Sequence, residues 1–165
     1  MEKKRLLQAM KFSISEVLET MFFLPIDRTE IVDIEAYNSS LTDDVELVEV
    51  SFSGLFSGSF LLLIPEELAL FLAASFLGII EEKVLPAHIS ETKKEIVNMI
   101  AGNTFANFND QVVFNLGIPK ILYAKNVIER PARGDEIIYQ SHTLDKFLFI
   151  RVLLETSHPK TGSDN

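Results

Sequence analysis

Strand-like runs occur in two groups of three, with short connections inside each group. The runs are 30–37, 45–54 and 58–65 in the first group and 120–129, 136–143 and 147–155 in the second. In 45–54, apolar Val and Leu residues alternate with Glu and Ser, and GLFSGSF (54–60) is typical of a tight hairpin connection. Because short turns join antiparallel neighbours, the runs predict an antiparallel sheet.

Three helices are predicted around these runs: about 5–23, 66–77, and a third from a Ser90 N-cap to about 107 or 108. Pro65 precedes Glu66 and Glu67, a typical helix start because proline suits the first turn and acids face the positive end of the helix dipole. Gly78 marks the end of that helix.

The predicted element order is α, β, β, β, α, α, β, β, β. Strands joined by short turns, with separate helices, favour an α+β fold in which the helices pack on one face of the sheet. A helix followed by three strands occurs twice, which indicates an internal pseudo-repeat. We expect a single domain over 1–155 and a flexible polar tail over 156–165.

Composition excludes several classes of function. The chain has 15 Lys and Arg against 24 Asp and Glu, and the resulting charge of −9 disfavours a nucleic-acid partner. It has no cysteine, which excludes disulfides, thiol nucleophiles and zinc–thiolate sites and fits a reducing compartment. The longest uncharged apolar run, 68–80, is shorter than the ~20 residues of a membrane helix. We therefore expect a cytoplasmic protein with no membrane insertion.

Candidate metal and hydrolase sites are weak. His88, His142 and His158 are not at ligand spacing, and Asp43 and Asp44 are best interpreted as turn residues. The sequence contains neither a Gly-x-Ser-x-Gly elbow nor a phosphate-binding glycine loop. We expect no metal site and no bound cofactor in this chain.

The segment ETKKEIVNMIAGN (91–103) places an unusual set of residues on one side of the third helix. Four of them fall within a sector of roughly 60° at ~100° per residue. This polar stripe consists of Glu91, Glu95, Asn98 and Gly102. Asn is unfavourable in a helix interior, and Gly there costs ~1 kcal/mol of helix stability relative to Ala. Two residues that weaken the helix on one side of it indicate a contact surface. An ordinary amphipathic surface helix would also have a polar face.

These residues resemble the CheC/CheX/FliY family of bacterial chemotaxis phosphatases. EIVNMIAGN (95–103) is similar to the family's Glu-x-x-Asn signature followed by Gly-Asn, and 56–78 is similar to the strand and helix that precede it. With the matching element order, the resemblance covers most of 5–155. It departs from the family at Glu91, where the pattern has Asp or Ser.

The first helix carries a degenerate copy of the same pattern. Ser15 and Glu19 match it, but Phe22 stands at the asparagine position, and an aromatic ring cannot position water in the same way. A single intact motif helix resembles CheX more than the two-site relatives.

The resemblance implies a phosphatase that hydrolyses the aspartyl phosphate of a CheY-like response regulator. Glu95 would pair with a lysine of the regulator and Asn98 would orient the attacking water, while Glu91 and Gly102 would contact the partner. Any Mg²⁺ would belong to the regulator. The alternatives are a non-catalytic signalling module of the same fold and a plain structural subunit. The intact Asn98 favours the enzyme.

The resemblance to CheX also implies a homodimer. The unbroken apolar run FLFIRVLL (147–154) is compatible with pairing of two copies through a strand edge.

Overall fold

The computed structural model describes residues 2–42, 45–109, 111–125 and 134–155. Within them the helices are α1 (Glu2–Met21), α2 (Ile34–Asn38), α3 (Glu66–Leu77) and α4 (Pro86–Phe108), with a 3-10 turn at Glu81–Lys83. The strands are β1 (Arg28–Val32), β2 (Glu46–Ser53), β3 (Gly58–Leu63), β4 (Asn115–Leu116), β5 (Lys120–Tyr123), β6 (Gly134–Thr143) and β7 (Lys146–Glu155). In the part of the chain described, no helix is long and apolar enough to cross a membrane.

The strands form one antiparallel sheet in the order β1-β6-β7-β3-β2-β4, with β5 also paired to β2. The strands β4 and β5 share a neighbour because they pair with different ends of it. Phe52 lies opposite Leu116, whereas Leu47 lies opposite Leu122. The predicted α+β fold with an antiparallel sheet is confirmed.

The pairing of the strands contains the predicted repeat. The series β1-β6-β7 on one side of the sheet corresponds to β5-β2-β3 on the other. The first half of the chain supplies α1 and β1 to β3, and the second supplies α4 and β5 to β7. Each half places its outer strand against the other half, since β1 pairs with β6 and β5 pairs with β2.

The pleat divides the apolar side chains of each strand between two cores, because successive residues point to opposite faces. Val50 and Ile150 belong to the core under α1, α3 and α4. Leu47 and Phe149 belong to a smaller core on the other face, where Tyr37 of α2 packs edge-on against Phe149 with ring centroids 5.5 Å apart. The three long helices therefore share one face, as predicted.

The predicted strand 30–37 is wrong in its second half. Asp33 accepts a hydrogen bond from the Ala36 N–H at 2.8 Å and caps α2, because an N-cap aspartate satisfies a free amide of the first turn. The two-residue strand β4 was not predicted. Three predictions lie outside the described residues: the end of the strand 120–129, the turn at Asp43 and Asp44, and the tail 156–165.

The suggested pairing of two copies through 147–154 is also wrong. This run belongs to β7, and Val152 lies between Phe60 of β3 and Ile137 of β6. Both sides of the strand are therefore hydrogen-bonded within the sheet. The homodimer itself stays a prediction.

Alkaline pH should destabilise the fold through two buried tyrosines. Tyr139 is buried and its hydroxyl donates to the Leu7 carbonyl oxygen at 3.0 Å. Burial raises the pKa of Tyr139 to about 12, and burial, opposed by the charge of Arg151, raises the pKa of Tyr37 to about 12. An unfolded chain ionises its tyrosines near pH ~10, so the free energy of unfolding should fall as pH rises from ~10 towards ~12.

Urea unfolding at about pH 8 and about pH 11 measures this fall. Tyr139→Phe should reduce it, whereas the same change at the exposed Tyr123 should not. An undiminished fall in Tyr139→Phe would contradict the assignment.

Candidate functional site

Helix α4 begins at Pro86, so the predicted N-cap at Ser90 is wrong. The Leu85 N–H donates to His88 Nδ1 at 3.0 Å, and proline fits the first helical position because its missing N–H would have no helical partner there. The helix ends at Phe108, as predicted. The polar stripe therefore starts in the second turn of a long helix and not at its first residue.

The two sides of α4 are as distinct as the sequence predicts. Its buried side packs on the sheet and on the other helices. This side includes Ile96, Val97, Ile100 and Thr104. On the outer side, Glu91 and Glu95 are exposed, and Asn98 and Gly102 are half-exposed. The structure thus brings all four predicted site residues onto one accessible face.

Within the polar stripe, only Glu91 forms an ion pair to another described residue. Its Oε1 lies 2.9 Å from Lys94 Nζ, one turn along the helix. The side chains of Glu95 and Asn98 form neither a hydrogen bond nor an ion pair with the rest of the described chain. A carboxylate without an ion-pair partner can pair with a cation, and an amide without a hydrogen-bond partner can hold a water molecule.

Gly102 leaves open space on the stripe. A Cβ atom added there would meet no atom within 4 Å outside its immediate surroundings in the helix. Gly58 at the start of β3 is the opposite case, since a Cβ atom there would collide with the Leu153 carbonyl oxygen. The sheet therefore requires a glycine at 58, and the fold does not require one at 102.

Lys93 lies on the opposite side of α4 from the stripe, and its role was not predicted from the sequence. Its side chain is only 3% exposed, and Nζ lies 2.9 Å from Glu66 Oε2 and 3.3 Å from Glu46 Oε2. These contacts join α4 to the first turn of α3 and to the first residue of β2. A sequence signal existed, because Lys93 shares its helix face with Ile96 and Ile100.

A cavity of about 630 Å³ lies beside this ion-pair bridge, lined by Leu63, Tyr123 and Phe149 among others. Because Lys93 also lines it, the cavity is on the side of α4 away from the stripe. It is therefore not part of the candidate site.

A polar network between α1 and α4 was also missed. Asn103 Nδ2 donates to Glu16 Oε2 at 2.6 Å, and Asn107 Nδ2 donates to Ser13 Oγ and to Asn103 Oδ1, both at 3.1 Å. Asn103, the second residue of the Gly-Asn pair, therefore positions α1 beside the stripe. Only the spacing of Asn103 and Asn107, one turn apart, could have indicated it.

The degenerate motif on α1 does not form a second site. Phe22 is 1% exposed and its ring lies 5.1 Å from that of Phe76, so the position equivalent to Asn98 is part of the core. The described residues also contain no group of three or more His, Asp or Glu that could hold a metal. The candidate site is thus one helix face that offers a free carboxylate, a free amide and an open glycine.

Several solved structures share this fold. The chain is similar to a CheC-like superfamily protein from Shewanella sp. PV-4 (TM-score 0.71, 19% identity, 92% of this chain and 98% of that chain). It is also similar to chemotaxis protein CheX from Vibrio vulnificus (0.68, 21%, 91% and 99%). A third similar structure is CheX from Borrelia burgdorferi in a CheX–CheY–BeF₃–Mg²⁺ complex (0.68, 19%, 91% and 97%). The fold is that of the CheC and CheX proteins.

The family follows from the sequence itself. Residues 47–142, more than half of the chain, match the family model described as chemotaxis phosphatase CheX. The protein therefore belongs to the CheX family of chemotaxis phosphatases, as the resemblance predicted. No curated protein is similar enough in sequence to match it.

Gly102→Ala tests whether the fold needs the glycine at this position. Alanine should raise the free energy of unfolding by up to about 1 kcal/mol, because it favours the helix and meets no neighbour. The same change at Gly58 should destabilise the protein, because the new methyl group collides with backbone. Thermal unfolding of both variants is the measurement, and a loss of stability in Gly102→Ala would show that the glycine serves the fold.

The ion-pair bridge of Lys93 should respond asymmetrically to mutation. Neutralising both carboxylates, as Glu46→Gln with Glu66→Gln, leaves a buried ammonium unneutralised and should cost about 3–5 kcal/mol of unfolding free energy. Lys93→Met keeps the buried stem and leaves carboxylates that water can reach, so it should cost less. Denaturant unfolding compares the two, and a larger loss in Lys93→Met would contradict this account.

Proposed function

We propose that this protein hydrolyses the aspartyl phosphate of a CheY-like response regulator. The observation that carries the proposal is the pair of unbonded side chains, Glu95 and Asn98, on the accessible face of α4. Membership of a chemotaxis phosphatase family supports the reaction class. The B. burgdorferi CheX, which has the same fold, forms a complex with CheY.

In this proposal Asn98 orients the attacking water. Its side-chain oxygen accepts a hydrogen bond from the water and leaves a lone pair of the water directed at phosphorus, in line with the aspartyl oxygen that departs. Positioning is the main contribution that a protein can make to this reaction, because little covalent assistance is needed. An amide suits the role, since a carboxylate would be repelled by the phosphoryl oxygens.

Glu95 docks the regulator by pairing with a lysine of its active site, and Glu91 and Gly102 contact the same partner. The open space at Gly102 lets the partner approach the helix backbone closely. Mg²⁺ is held by the regulator in this scheme, so this chain binds no cofactor. The four residues of the stripe all lie on the outer side of α4.

We further propose that the protein acts in the cytoplasm, where response regulators are found, and that it is a homodimer. Strand β7 is interior, so any pairing through strands within the described sheet would have to use an outer strand such as β1.

Asn98→Ala should abolish the acceleration of phosphate loss from the regulator, with kcat reduced by about 10²-fold or more. Glu95→Ala should mainly raise KM, because Glu95 acts in docking. Asn115→Ala, an exposed asparagine on β4, is the matched control and should leave both constants unchanged. The measurement is the loss of radiolabelled phosphate from phosphorylated CheY-like regulators of the same organism.

The isosteric change Asn98→Asp refines the test. It preserves shape but adds a negative charge next to the phosphoryl group, so it should also inactivate the enzyme. Full activity in Asn98→Ala would refute the role of this residue. Binding of the regulator by wild-type protein without faster phosphate loss would instead identify a non-catalytic binding module.

A further inference from the structure

The polar stripe is too small to bind a protein partner by itself. From Glu91 to Gly102 it spans about 16 Å of helix, and at a helix width of about 10 Å it presents on the order of 160 Å². Weak signalling complexes bury up to about 600 Å² on each partner, and standard complexes bury about 800 Å². A regulator seated on the stripe must therefore cover neighbouring surface as well.

Helix α1 supplies the surface next to the stripe. The hydrogen bonds from Asn107 to Ser13 and from Asn103 to Glu16 show that α1 and α4 lie side by side and run in opposite directions. Asn103 directly follows Gly102 of the stripe. The face of α1 that contains Glu16 therefore borders the end of the stripe where the helix is open.

This face of α1 carries an exposed aromatic residue. Phe12 lies one turn before Glu16 on the same face and is 57% exposed. Phe23, seven residues after Glu16, lies just past the end of the helix and is 80% exposed. By the antiparallel register, Phe12 lies towards the Gly102 end of the stripe, and the end of α1 lies towards Glu95.

Phe23 is also held in a backbone conformation that a phenylalanine rarely adopts. Its φ of 53° lies in the left-handed region, where a bulky side chain is an outlier. Glycine or asparagine would be favoured at this position. The left-handed backbone itself serves the fold, because it ends α1 with a hydrogen bond from the Leu24 N–H to the Leu18 carbonyl oxygen at 3.0 Å. The exposed aromatic ring has no described folding contact, and a strained phenylalanine at a position that favours glycine is typical of a residue retained for binding.

We infer that Phe12 and Phe23 form the apolar half of the docking surface for the phosphorylated receiver domain of the response regulator. The inference rests on the proposed function and extends it, because it names a second element that recognises the partner. The regulator would pair a lysine with Glu95 and pack apolar side chains against the two rings. Both residues set affinity and take no part in the hydrolysis itself.

Two variants test the inference without harm to the fold. Phe12→Ser changes an exposed residue, and Phe23→Gly removes the ring while relieving the left-handed strain. Phe23→Gly should thus raise thermal stability and still weaken docking, a combination that a merely structural role would not give. Ile118→Ser is the matched control, because Ile118 is 83% exposed and lies between β4 and β5, outside the α1–α4 face.

The readouts are kcat and KM for phosphorylated regulator, and the affinity for regulator activated with beryllium fluoride and Mg²⁺. Each phenylalanine variant should raise KM and the dissociation constant about five- to tenfold with kcat within about twofold, as loss of an interface anchor predicts. Ile118→Ser should match wild type.

Unchanged KM in both phenylalanine variants, with Asn98→Ala inactive, would overturn the inference and leave the proposed function intact. A change from dimer to monomer in the variants, by light scattering, would also overturn it, since a second copy of this chain would then cover the rings. No binding and no acceleration by wild-type protein would refute the proposed function together with the inference.

Discussion

The buried ammonium of Lys93 fixes the orientation of the helix on which the proposed activity depends. Its two carboxylate partners come from β2 and from the first turn of α3, so α4 is held at two points besides its apolar contacts. A buried charge is costly unless it is paired, which makes the bridge a strong constraint on the rotation of α4. With Lys93 turned inward, Glu95 and Asn98 must face outward.

The two halves of the chain place equivalent helices and strands in equivalent positions but use different residues there. Both α1 and α4 lie on the same face of the sheet, and each half contributes three strands to it. Yet the motif position is a free Asn98 on α4 and a buried Phe22 on α1. The phenylalanine strengthens the core near α3, whereas the asparagine leaves a polar group at the surface. The pseudo-symmetric fold therefore exposes the motif asparagine on α4 and buries its counterpart on α1.

Local patterns in the sequence were sufficient for the sheet, the long helices and the stripe. Alternating strand residues, the Pro65 helix start and the spacing of the stripe residues are local signals, and each appears in the structure. The failures have physical causes. The Asp33 cap outweighed the strand-like residues that follow it, and Pro86 began α4 before Ser90 could cap it. The helical spacing of Lys93 indicates that it is buried, but its carboxylate partners are far away in the sequence, so no local pattern identifies them.

Because each half pairs its outer strand with a strand of the other half, neither half can complete its part of the sheet alone. Arg28 of β1 lies opposite His142 of β6, and Leu61 of β3 lies opposite Arg151 of β7. While the ribosome is still synthesising the protein, β1 lacks its partner in the described sheet until β6 has been made. Contacts this distant in sequence slow folding, and they leave an unpaired strand edge exposed to aggregation during that interval. A chain cut short before β6 would lose the partner of β1 as well as its own last strands.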